Sequence, residues 1–209
     1  MKICRAIGEY KKAAELEEKL LKQFPSSKEA LNLREKRLRE EREKREQMRL
    51  TENFLHNLLK GTGIDPAPYL SIAQTDLPAS LDKLLDEHPE LKAKIVKHSL
   101  NELKGKQQTE AGFRLQRAIH QWLTEHFCER YPDDPLAYEV IWQMKMPERR
   151  YVGIDHLPLL ATFLLAPEGL PYREEAEKLL EQVLKEKPQR TRERDPFLKL
   201  LEYAEQFPK

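Results

Sequence analysis

Apolar residues recur every three or four positions along most of this chain, the spacing of one helix face. In GEYKKAAELEEKLLKQFP, residues 8–25, Tyr10, Ala13, Ala14, Leu20, Leu21 and Phe24 make one such stripe, with Leu16 at its edge. Pro25 closes that helix. Ser26 or Ser27 can cap the next one, with Glu29 placed to reach back to Ser26. The second helix begins with Ala30, Leu31 and Leu33 and then loses its apolar face. Residues 34–50 read REKRLREEREKREQMRL, with only Leu38, Met48 and Leu50 apolar. A seven-residue seam is broken, because Arg45 stands where the successor of Leu38 belongs. Glu and Arg or Lys still recur three and four apart, so surface ion pairs favour helix. The pattern predicts a solvated helical rod leading into Phe54, Leu55, Leu58 and Leu59.

Gly61 and Gly63 interrupt the rod, and Pro66, Pro68 and Pro78 predict a loop over 61–78. The alternative there is a buried extended segment pinned by Tyr69, Leu70 and Ile72. Helical patterning returns at Ser80, in SLDKLLDEH, and stops at Pro89. A helix follows over 90–104, with Leu91, Ile95, Val96, Leu100 and Leu103 apolar. A longer one spans 109–130, carrying Phe113, Leu115, Ile119, Trp122, Leu123 and Phe127. Residues 133–155 fit two patterns. Asp134-Pro135 is a cap followed by a first-turn proline, which predicts a helix. Tyr138, Val140, Trp142 and Met144 also alternate, and with Tyr151, Val152 and Ile154 they would make a hairpin. The cap is the more specific signal, so helix is expected. A buried helix at 157–165, an APEG turn, a helix ending at Pro188 and a last helix from Phe197 to Phe207 complete the chain.

The stretch LPYREEAEKLLEQVLKEKP echoes the opening one. Ala176 to Pro188 repeats the spacing of Ala13 to Pro25, and Leu179, Val183 and Leu184 fall where Leu16, Leu20 and Leu21 fall. Each copy reads as a glycine or turn, then Tyr10 or Tyr172, then Ala13 or Ala176, then a closing proline, with Tyr172 one residue out of register. Both resemble the second helix of a tetratricopeptide repeat, and residues 157–188 resemble one complete hairpin of that family. The resemblance implies stacked helix pairs whose concave face binds peptides. It covers about a quarter of the chain, and the N-terminal copy has only seven residues before it, too few for the family's first helix.

Composition sharpens this picture. Over 209 residues, 35% are charged and 39% hydrophobic, so the chain carries more charge and less apolar surface than a compact globule of its length. An all-α molecule with an extended arm is expected: a charged helical arm over 1–60, a Pro/Gly-rich loop over 61–78 and a helical domain over 79–209. The alternative is α+β, with a small hairpin at 138–154. Net charge is +1, which excludes a polycation with general attraction to nucleic acid or membrane. Cys4 and Cys128 are isolated, as in a reducing cytoplasm. No secretory start follows Met1-Lys2, and the longest apolar run, Leu157 to Ala166, contains Pro158 and is too short to span a bilayer.

Little of the sequence carries catalytic chemistry. His120 and His126 stand six apart, the wrong spacing for a metal held on one helix face, so no metal is expected. Residues 109–155 resemble the restriction-endonuclease-like fold in offering Glu110 and Asp155, but no Glu-x-Lys follows Asp155, and Gln143-Met144-Lys145 precedes it. No glycine loop for phosphate and no serine elbow is present. The expected function is therefore non-catalytic and needs no cofactor: an adaptor or assembly subunit that binds a protein partner or a second copy through Tyr10, Leu16, Leu20, Leu21 and Phe24. The alternative is nucleic-acid binding, with phosphates held by Arg37, Arg42, Lys44, Arg45 and Arg49.

Overall fold

The computed structural model describes residues 10–146 and 156–185, and over these residues the chain is all-α. In order come α1 (Tyr10–Gln23), α2 (Lys28–Leu59), α3 (Ala67–Ala73) and α4 (Leu77–Glu87). A 3-10 turn (Pro89–Leu91) leads into α5 (Lys92–Lys104). Helix α6 (Glu110–Gln121) passes through a π-helical stretch (Trp122–Phe127) into the short α7 (Cys128–Arg130). Then come α8 (Pro135–Lys145), α9 (Leu157–Leu164) and α10 (Arg173–Lys185). Two compact units account for the described residues. The first holds 10–57 with 107–115; the second holds 58–106 with 116–146 and 156–185.

In the first unit, α1 and α2 form a hairpin. Ser27 caps α2, its hydroxyl accepting from the Ala30 backbone N–H at 3.2 Å. Ala13 and Ala30 are buried, and an ion pair between Glu17 and Arg37, 3.3 Å apart, joins the two helices. Helix α2 runs 32 residues, about 48 Å at the α-helical rise. Its charged middle is helical for the expected reason. Lys36–Glu40, Arg39–Glu43 and Arg45–Glu41 are all i, i+4 ion pairs. Each is exposed and contributes only about 0.3–0.5 kcal/mol, so residues of high helix propensity carry the rest.

In the second unit, the segment expected to be a loop over 61–78 is a loop only in part. Gly61 and Gly63 do break the chain, both at positive φ. Helix α3 then forms inside the segment, and α4 starts at Leu77 rather than Ser80. Pro68 and Pro78 sit in the first turns of these helices, where no backbone N–H is needed, so they start helices instead of breaking them. Asp76 caps α4 by accepting from Ala79 N–H at 3.1 Å. Tyr69 is buried, as in the alternative reading of this segment, but on a helix and not in an extended stretch. Its backbone oxygen accepts from Ser80 Oγ at 2.8 Å, and its hydroxyl donates to Glu87 at 2.7 Å.

The helix reading of 133–155 holds from Pro135 to Lys145. Asp134 accepts from Leu136 N–H at 2.9 Å, as a cap should. Tyr151, Val152 and Ile154 lie outside the described residues, as does the expected helix from Phe197 to Phe207. Helices α4, α5 and α8 pack with the π-helical stretch, burying Leu81, Leu84, Ile95, Val96, Trp122 and Phe127. Phe113 departs from its expected face and is exposed, whereas Leu115 and Ile119 are buried. Helices α9 and α10 pair as a hairpin around Leu157, Leu160, Phe163, Ala176, Leu179 and Val183. Tyr172, at φ +70°, turns into α10 and stacks on Trp142 with ring centroids 4.8 Å apart.

Candidate interaction surfaces

The apolar stripe of α1 divides. Tyr10 is 70% exposed and Phe24 60%, and Leu16 is also exposed. Leu20 and Leu21 are half-buried, and Ala14 is exposed. The fully covered positions are Ala13 and Glu17. A charged side chain thus takes a place on the inner face where leucines were expected. Arg37 on α2 supplies the opposite charge, and a buried carboxylate is tolerable only when paired in this way. Leu16 points out while Leu179, its counterpart in the echoing stretch, is buried.

The five basic residues of the arm also separate. Arg37 is half-buried against Glu17, and Arg45 pairs with Glu41 at 3.6 Å. Arg42, Lys44 and Arg49 are exposed and make no ion pair among the described residues. Sequence reading missed a regularity here. Leu31, Arg34, Leu38, Arg42, Arg45 and Arg49 follow one another at spacings of three and four, and all six are exposed. They share one face of α2, with leucines toward its start and arginines toward its end. The signal was present in the sequence, but only a face defined by arginines as well as leucines reveals it.

A second group was also missed. Asp82 on α4 accepts from Trp122 Nε1 at 2.8 Å and lies 2.6 Å from His126 Nδ1. One turn further, Asp86 pairs with Arg130 at 2.5 Å. The spacings 82/86 and 122/126/130 therefore mesh along two elements that are 40 residues apart in sequence. His126 is committed to this contact, and His120 sits elsewhere on exposed surface. Among the described residues, no three His, Cys, Asp or Glu side chains are grouped to hold a metal ion. Glu110 pairs with Arg114 at 3.2 Å, and Asp155 lies outside the described residues.

Two groups hold their protons tightly. Burial, reinforced by the hydrogen bond to Glu87, pushes the Tyr69 phenol up to about 12. Burial pushes the Cys128 thiol up to about 11 against the opposing charge of Lys145, so this cysteine is a poor nucleophile. No described helix is long and apolar enough to cross a membrane. No protein-family model, curated protein or solved structure matches this chain.

Proposed function

We propose that this chain is a non-catalytic interaction or assembly subunit, and that its α1–α2 hairpin is the part that meets a protein partner. One observation carries the reading. The large exposed apolar side chains among the described residues are Tyr10, Leu16, Phe24, Leu31, Leu38, Met48, Phe113 and Leu165. Seven of these eight, all but Leu165, belong to the first unit, the smaller of the two. Single exposed leucines are ordinary, but a concentration of this kind is what a contact surface needs. The partner is a second protein or a second copy of the chain. The likeness of 8–25 and 157–188 to tetratricopeptide helices belongs to the same reading, since paired helices of that family present a face to peptides. Two isolated cysteines agree with a cytoplasmic setting.

A photo-crosslinking amino acid placed at Phe24 or Leu38 in the full chain, and at exposed Glu168 as control, tests the proposal. The expected outcome is a discrete protein adduct at the first two positions that survives nuclease and is absent at the control. Equal adducts at all three positions, or none at Phe24 and Leu38, would overturn it. The second reading, phosphate contact through the arm, is favoured by the shared exposed face of Arg42, Arg45 and Arg49. Nucleic-acid adducts that weaken steeply as salt rises would move that reading to the front.

A further inference from the structure

The second unit carries an open cleft of about 470 Å³ where the ends of α5 and α8 meet α6. Its lining has a simple chemistry. Lys104, Arg117 and His120 are exposed at the rim. Leu100, Leu103 and Met144 supply an apolar floor, the first buried and the other two half-buried. The remaining lining residues are Gln116 and Gln143, and both amides are already in use. Gln116 Nε2 donates to the carbonyls of Glu102 at 3.0 Å and Gly105 at 2.7 Å. Gln143 Nε2 donates to Glu139 at 2.9 Å.

Among the described residues, no carboxylate lines the cleft, and neither Lys104 nor Arg117 has an ion-pair partner. This stands out in a chain of net charge +1, where acids and bases nearly balance and Lys36, Arg37, Arg39 and Arg45 of α2 each have a carboxylate partner. The volume falls within the range of about 300–1,000 Å³ typical of ligand clefts. We infer that the cleft binds an acidic, leucine-type peptide segment of a partner protein. Its carboxylates would sit on Lys104, Arg117 and His120, and its aliphatic side chains on Leu100, Leu103 and Met144. A peptide fits better than a nucleic acid because, among the described residues, no Phe, Tyr or Trp lines the cleft for base stacking. The inference is independent of the arm, since no lining residue belongs to the first unit.

Fluorescence polarisation with the full chain tests it. The probe is a labelled peptide of about ten residues alternating Glu and Leu. Comparison peptides replace Leu by Ser, or Glu by Lys, and a labelled oligothymidine of similar length represents nucleic acid. The Glu-Leu peptide should bind, and both comparison peptides should bind at least about tenfold more weakly. Lys104→Glu with Arg117→Glu should weaken it about tenfold or more while leaving the circular dichroism unchanged. Met144→Asp should act in the same direction by a different route. The inference is overturned by no binding up to about 1 mM. Binding indifferent to both variants, or oligothymidine binding in preference to the peptide, would overturn it equally.

Discussion

At the scale of single residues, Cys128 gives the sharpest expectation. Its Sγ lies 3.9 Å from the Ala137 carbonyl oxygen, and burial raises its pKa from 9.0 to about 11. Only the thiolate is alkylated, so two pH units mean about a hundredfold less reactive species well below either value. Alkylation at pH 8, followed peptide by peptide in a mass spectrometer, should therefore be far slower at Cys128 in the folded chain than in urea. Equal rates would refute the burial. The same shift has a consequence for stability. The folded form keeps a proton that the unfolded form loses, so this contribution is complete below about pH 9 and declines as pH rises through about 11. Residues were unevenly legible in the sequence. The Asp134 cap could be read because it acts on a neighbour two positions away. The burial of Glu17 could not, because its partner Arg37 is 20 residues away and belongs to a different helix. Tyr172 looked like a family tyrosine, yet its left-handed backbone is an unfavourable choice for an aromatic residue. Stacking on Trp142 opposes that cost.

At the scale of elements, most described helices are legible in the sequence, and the exceptions are α3 and the start of α4. Periodicity is local, so α1, α5 and α6 are legible from apolar spacing and the middle of α2 from charges three and four apart. A proline's effect depends on its position within a turn, so α3 falls inside a segment whose prolines predict a loop. The π-helical stretch leaves no mark in the spacing of Phe113, Leu115, Ile119 and Trp122, and it packs against α4. Asp82 is the link between these two elements. Asp82→Ala removes the acceptor for both Trp122 and His126 and should cost about 2 kcal/mol, read from the urea midpoint at unchanged slope. Asp82→Asn keeps one acceptor oxygen and should lose less. An unchanged midpoint in both variants would mean that packing alone joins α4 to this stretch.

At the scale of the whole molecule, stability should be distributed unevenly. The middle of α2 is held by exposed ion pairs and covers little apolar surface, while α4, α5 and the π-helical stretch bury fully covered leucines, isoleucine and tryptophan. Amide hydrogen exchange should therefore be fast over residues 34–46 and slowest over Leu81–Leu85 and Ile95–Leu100. Uniform protection across both would contradict this account. The division into two units was only partly readable, because residues 107–115 join the first unit across a long stretch of sequence. Within the second unit, one side chain has an effect that reaches past its own bonds. Gln116 donates to the carbonyls of Glu102, Leu103 and Gly105, at and just beyond the end of α5. Lys104 and Arg117 are chain neighbours of these bonded groups and line the same cleft. These bonds tie the backbone that carries Lys104 to the backbone that carries Arg117, so the proposed ligand would meet two cations whose anchoring points are set on folding, and only their side chains would remain to be ordered.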